Sequence, residues 1–205
     1  MSIITFPSTL AASAFSWAQQ RRDVAFTSTF GSQAQENSPP LWAVAMQAAP
    51  DRDGNIGPWQ ALLLQLRGKT NQLALWNLAR PVPIGTMRGT MTLNTAIAKG
   101  DTSINIIAAT ESTKTLVAGD YLGFGSGITQ QVVMVTGLAT ADVSGIITAT
   151  FEPAARNAIA IGSAVTWNMP AALFRQTASK LGWSYVPGIV TQPMPLDLLE
   201  DWRPT

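Results

Sequence analysis

Short runs of alternating or β-branched residues dominate this chain, and a helical spacing of apolar residues occurs clearly once. Ser13-Ala14-Phe15-Ser16-Trp17 alternates small or polar with aromatic side chains, which predicts a half-buried strand. Val24 to Phe30 is rich in β-branched and aromatic residues and predicts a second strand, with Gln20-Arg21-Arg22-Asp23 as the polar turn between them. Gly31 to Pro40 is polar and ends in two prolines, which stop a helix or a central strand. Leu41 to Met46 predicts a third strand. The helical spacing lies at 57–68. Pro58 suits a first helical turn, Gly68 suits the position just past a helix end, and Trp59, Leu62, Leu63 and Leu66 share one face. A Trp/Leu stripe of that kind packs a core. Gln72 to Asn77 predicts the next strand.

The pattern changes after Pro81-Val82-Pro83-Ile84-Gly85. From there to Asn168 the chain is rich in Thr, Gly, Ile and Val, with turn residues about every 8–12 positions and no helical period. Strands are predicted at 90–95, 103–108, 121–124, 131–136, 146–151 and 164–167, a spacing that suits a small barrel or sandwich. Met169-Pro170 closes this stretch. Ala172 to Gln176, Trp183 to Val186 and the tail from Pro195 to Pro204 then return to the earlier style. The fold class is therefore mainly β with one α-helix. Residues 87–168 form an inserted small β-barrel or sandwich, and residues 1–86 plus 169–205 form the host domain. This organisation predicts that Thr86 and Asn168 lie side by side and that the host folds without the insert.

Composition narrows the function. At 46% hydrophobic and mean hydropathy +0.16, the chain can build a substantial core. Charged residues are only 12%, against roughly 25% in ordinary soluble domains, so much of the surface is expected to face other protein. With 13 basic and 12 acidic residues there is no strong field to attract nucleic acid or an anionic membrane. The chain has no cysteine and no histidine. That excludes a disulfide framework, a thiol nucleophile, a thiolate or imidazole metal site and a Ser-His-Asp triad. No stretch of about 18–20 residues stays apolar, so no membrane-crossing helix is expected. The start of the chain lacks the basic segment of a signal peptide, and Pro7 interrupts its apolar run, so an extended N-terminal arm is the better reading.

The motifs that invite chemistry mostly fail on spacing. Asp51-Arg52-Asp53-Gly54-Asn55 opens like a calcium loop, but Ile56 and Leu62 stand where a glycine and an acid are required. A turn before the helix is expected instead. Gly123-Phe124-Gly125-Ser126-Gly127 resembles part of a phosphate loop, yet a strand follows it where a helix should, so a hairpin turn is expected. Ala118-Gly119-Asp120 reads as another turn. The acids are scattered, and Glu111 with Glu152 is the one distant pair considered for a catalytic cleft. Neither enzymatic activity nor a metal or cofactor is expected. Arg21, Arg22, Trp202 and Arg203 are the candidate subunit contacts, because tryptophan and arginine are favoured interface anchors. Trp202 folding back on its own domain is the competing reading. Trp167 is the one residue placed to stack on a sugar.

A resemblance now enters. It is carried by Gly57-Pro58-Trp59, by Leu66-Arg67-Gly68-Lys69-Thr70-Asn71-Gln72-Leu73-Ala74-Leu75-Trp76 and by Pro83-Ile84-Gly85-Thr86-Met87-Arg88-Gly89. Leu116 to Leu122, Glu152-Pro153-Ala154-Ala155-Arg156 and the segment from Pro170 to Arg175 follow in the same order. Taken together, these elements resemble the distal tail proteins of long-tailed bacterial viruses over nearly the whole chain. The resemblance implies a split β-barrel ring domain with one helix, from which a smaller β domain projects. It also implies a homo-hexameric ring in the virion, at the distal end of the tail. Such a ring would join the tail tube protein to tip, hub or baseplate proteins, with the tape measure protein as a further neighbour, and leave a channel for the genome. The second domain is short beside those of larger members. A carbohydrate-binding module acting on host surface glycans is the alternative.

Overall fold

The computed structural model describes every residue except 50–55, 180–181, 187–189, 192–193 and 203–205. The Asp51–Asn55 turn and Arg203 therefore lie outside the described residues. The chain opens with β1 (Ile3–Thr5), β2 (Ala12–Gln20), β3 (Asp23–Ser28), β4 (Gly31–Glu36) and β5 (Leu41–Ala48). Helix α1 (Gly57–Leu66) and β6 (Gln72–Trp76) follow. Next come β7 (Met91–Leu93), β8 (Ser103–Ile107), β9 (Thr115–Leu116), β10 (Tyr121–Phe124), β11 (Gln131–Val135), β12 (Ala139–Thr140), β13 (Ile146–Glu152) and β14 (Ala164–Thr166). The chain ends with β15 (Ala171–Gln176), β16 (Tyr185–Val186), β17 (Val190–Thr191) and β18 (Met194–Glu200).

Two bodies result. A six-stranded sheet runs in the order β1-β6-β15-β18-β5-β2, parallel at the β1–β6 pair and antiparallel elsewhere. It draws on both ends of the chain. The sheet is open: β1 and β2 form its two edges and do not pair with each other. Strand β1 is only three residues long, and the chain beyond β2 continues as the β3–β4 hairpin. The second body is a closed barrel, β10-β11-β13-β8-β7-β14, built entirely from the middle of the chain.

Helix α1 forms where its spacing predicted. Pro58 occupies the first turn, and Trp59, Leu62, Leu63 and Leu66 are all buried. The helix stops at Leu66 with Arg67 as its cap, which puts Gly68 just past its end, as expected. Arg67 takes a left-handed conformation and returns its N–H to the Leu64 carbonyl, and Gly68 is also left-handed. The helical stripe joins one core with Val44 and Met46 of β5, Leu73 and Leu75 of β6, and Leu196 and Leu198 of β18. Phe6 sets its ring edge-on against both Trp59 and Trp76.

Inside the barrel, β13 alternates buried and exposed positions, as its sequence pattern demands. Its Ile147, Ala149 and Phe151 pack with Ile104, Ile106, Val133 and Phe124 in a separate core. By contrast, every residue of β10 is buried, as are most of β11. Their wall is covered on both sides. Leu122, Phe124, Val133 and Val135 face the barrel core, whereas Tyr121 and Val132 belong to the core of the sheet. Continuous apolar runs in strands have this cause.

Strands also arise where the sequence reading had none. The start of the chain, expected as an extended arm, gives β1, which pairs with β6 from Ile3↔Gln72 to Thr5↔Ala74 and leads Phe6 into the core. Gly31–Glu36, polar throughout, is a strand that pairs with β3 from Asp23↔Glu36 to Ser28↔Gly31. Its ladder to β3, not any apolar pattern, makes it a strand.

Candidate functional site

Three places gather the charged and aromatic residues: the arm β3–β4, the two crossings between the bodies, and the seam where the barrel wall meets the sheet.

The arm extends the β2–β5 ribbon. Gln20 pairs with Leu41 at the end of that ribbon, and the Asn37 N–H then donates to the Arg22 carbonyl as the ladder resumes. Every residue of β3 and β4 is exposed. Phe26 is 62% exposed, Phe30 at the tip is 99% exposed, and Val24 is also open. A two-stranded hairpin has little stability alone in water, so such an arm calls for a partner. Arg21 stands at its base, 3.0 Å from Asp23 and 3.8 Å from Glu36. The hydrogen bond to Asp23, then the charges of Asp23, Glu36 and Glu152, hold its guanidinium above the ordinary range. These groups are exposed to water, so the cluster shapes the arm base more than it stabilises the fold. Arg22 is exposed beside it.

The crossings are tied to each other. On the outgoing side the buried Asp120 carboxylate accepts the N–H groups of Ile84, Gly85 and Val117. The Arg88 guanidinium donates to the carbonyls of Pro83, Gly85 and Met87. On the returning side the Met169 N–H donates to the Pro81 carbonyl at 2.7 Å, and the Trp167 indole N–H donates to Gly89 at 3.0 Å. Arg88 lies over the Trp167 ring, 5.3 Å from its centre. That contact occupies a face of the one tryptophan considered for sugar stacking.

The seam holds the most buried charge. Arg156 follows β13 and Glu200 ends β18; both side chains are 2% exposed and they meet at 2.5 Å. Glu200 Oε2 also accepts the Trp42 backbone N–H, and Arg156 donates to the Pro40 carbonyl. Trp42 sends its indole N–H across to the Val132 carbonyl at 2.8 Å. Around them Trp17 packs against Trp42, Tyr121 and Phe174 at ring separations of 5.3–6.0 Å. The barrel thus completes the sheet's core. The expectation that 1–86 plus 169–205 fold without 87–168 therefore meets a physical obstacle: removing the barrel strands Glu200 without its cation and bares this aromatic cluster.

Trp202 is half-buried next to this seam. The Lys99 ammonium, from the barrel side, sits 5.9 Å from its ring centre. Asp201 beside it accepts Arg175 at 2.6 Å and also Gln72. The register places Gln20 opposite Leu41, and Leu199 opposite Ala43. Arg21, Arg22 and Trp202 therefore lie towards the same end of the sheet, on strands either side of β5.

Two of the expected turns form, at Ala118-Gly119-Asp120 and between β10 and β11. Gln20-Arg21-Arg22-Asp23 is not a turn: the ladder that ends at Gln20↔Leu41 resumes at Asp23↔Glu36, so the ribbon runs on through it. Gly123 lies where a Cβ would meet Pro170 at 3.1 Å, and Gly125 takes φ +80°. Strand β11 then pairs back on β10, completing a hairpin. Glu111 accepts the Arg88 backbone N–H near the Ile146 end of β13, since Ile146 pairs with Ile107. Glu152 ends that strand, six steps or about 20 Å away at ~3.3 Å per residue. Two carboxylates that work as a glycosidase pair stand ~5–9.5 Å apart. Among the described residues no group of three or more acids gathers as a metal would require.

No protein-family model and no curated protein matches the chain. The functional reading therefore stands on the residues and the geometry. What the sequence missed is the seam. Arg156 and Glu200 are 44 positions apart, and nothing near either in the sequence points to the other. The low overall charge content was the available hint that each remaining charge has a structural task.

Proposed function

We propose that this chain is a structural ring subunit of a bacteriophage tail. It would form a distal ring that joins tube to tip or baseplate and leaves a channel for the genome. The observation that carries this reading is the contrast between a sheet with two unpaired edges plus an arm that bares Val24, Phe26 and Phe30, and a barrel with no free edge. Unpaired edges are a liability in a free monomer and a resource in an assembly. Repeating one heterologous contact around an axis closes a ring and covers both faces. Sequence resemblance to distal tail proteins supports the same role.

On this reading residues 1–86 and 169–205 are the ring domain, whose split barrel is completed only by its neighbours, and 87–168 is an insertion. The paired crossings at Pro81/Met169 and Gly89/Trp167 support the insertion, because an inserted domain must leave and re-enter its host at neighbouring points. Arg21 and Arg22, at the arm base, are well placed for subunit contact. Near-neutral charge suits a channel that must pass DNA without gripping it, since phosphate binding grows with uncompensated Lys and Arg. Electron microscopy of the purified protein at high micromolar concentration tests the reading. Closed rings of six subunits are expected, and a monodisperse monomer both alone and with tail partners would contradict it.

A further inference from the structure

The arm tip has a counterpart on the same chain. An apolar groove of about 510 Å³ opens between the N-terminal segment and β6, lined by Phe6, Leu10, Phe15, Trp76, Leu78 and Met169. Its volume falls in the roughly 300–1,000 Å³ range of pockets that engulf a small organic molecule, so a phenyl ring has room. Phe6 and Trp76 form its buried floor, and Met169 is 40% exposed at its rim.

The arm does not fill its own groove. Ala12 and Phe15, which line the groove, lie in the first half of β2, whereas the arm departs beyond Gln20 at the other end. Those nine residues span about 25–30 Å at ~3.3 Å each. From Gln20 the ladder carries on into the arm, so Phe30 lies farther still from the groove. Tip and groove thus sit at opposite ends of one ribbon. That is the arrangement of a head-to-tail contact, which closes into rings or runs on as a filament.

We propose that Phe26 and Phe30 of one copy seat in this apolar groove of a second copy. The partner is another molecule of this chain. Buried aromatic side chains cover about 150–250 Å² each, so the two phenylalanines supply a large part of the roughly 800 Å² per partner that a stable interface needs. The exposed strands of the arm provide the remainder. This inference rests on the ring reading only in requiring that the contact close. It goes further by naming the plug and the socket.

Because the chain has no cysteine, introduced cysteines report contacts without background. Full-length Phe30→Cys and Leu10→Cys proteins, mixed and mildly oxidised, are expected to give chiefly the mixed dimer. The double variant Phe30→Cys/Leu10→Cys should give a ladder of linked subunits. No cross-link, a link within one chain, or chiefly Phe30→Cys homodimers would overturn the proposal. Phe26→Ser/Phe30→Ser should in addition raise the concentration for half-assembly at least tenfold. Rings that persist unchanged in that variant would refute the plug and leave the ring reading intact. Failure of the unsubstituted chain to assemble, alone and with tail partners, would refute both.

Discussion

The barrel and the sheet solve the same problem in opposite ways. The barrel pairs each of its six strands on both sides and keeps a core of its own, from Met87 to Val165. The sheet leaves β1 and β2 unpaired at its edges and extends an arm with no core at all. Where they meet, the barrel lends Tyr121 and Val132 to the sheet, and an ion pair bridges the joint. The difference teaches that the two bodies are tied at the seam and that the unpaired edges and the bare arm all belong to the sheet, where the proposed assembly would act.

Cutting out the barrel is the harshest way to break this comparison. Replacing 87–168 by a short Gly/Ser linker is expected to abolish the cooperative unfolding transition, because the aromatic cluster at Trp17 and Trp42 loses its cover. A sharp thermal transition in that protein, followed by near-ultraviolet circular dichroism, would show that the sheet is autonomous. Next comes the ion pair. Glu200→Ala leaves Arg156 buried without its counter-charge and should cost about 3–5 kcal/mol in denaturant unfolding, whereas replacing both residues by apolar ones should recover much of that loss.

Gly123→Ala is a milder probe of the same joint. Its new Cβ would stand 3.1 Å from Pro170 Cβ, and overpacking of this kind typically costs about 1–3 kcal/mol. The smallest effect is expected at the tip. Phe30→Ser removes a side chain that touches little in the monomer, so its unfolding midpoint should move by no more than about 0.5 kcal/mol equivalent, measured under dissociating conditions. A large shift there would mean that the arm folds back on its own chain.

Legibility in the sequence followed the range of the forces. The barrel strands were readable to within a residue or two, as at 103–107 and 146–152, because β-branched alternation bounded by turn residues is a local signal. Helix α1 was readable for the same reason, its Trp/Leu stripe and Pro58 being neighbours in the chain. Strand β4 was not, since Ser32, Gln33 and Gln35 carry no strand preference of their own and obey the ladder from β3. Nor was the openness of the sheet, which depends on where β1 and β2 end up relative to each other. Of the candidate contacts, Arg21 and Arg22 read as a polar pair in a turn, but nothing nearby revealed that the ribbon runs on there into a projecting arm. Asp120 read only as a turn residue, and nothing local marked Arg156 and Glu200; the partners of these three include groups 36, 116 and 158 positions away.

The central claim is that assembly uses the open sheet and its arm while the barrel stands apart. Hydrogen–deuterium exchange, compared between assembled and dissociated protein, tests it residue by residue. Strand edges that pair or become buried gain protection from exchange. The account predicts that protection on assembly concentrates in the arm at 23–36, along β2 and around the groove from Phe6 to Ala12, with the barrel from Met91 to Thr166 unchanged. Protection gained chiefly in the barrel, with the arm exchanging as freely as before, would contradict it.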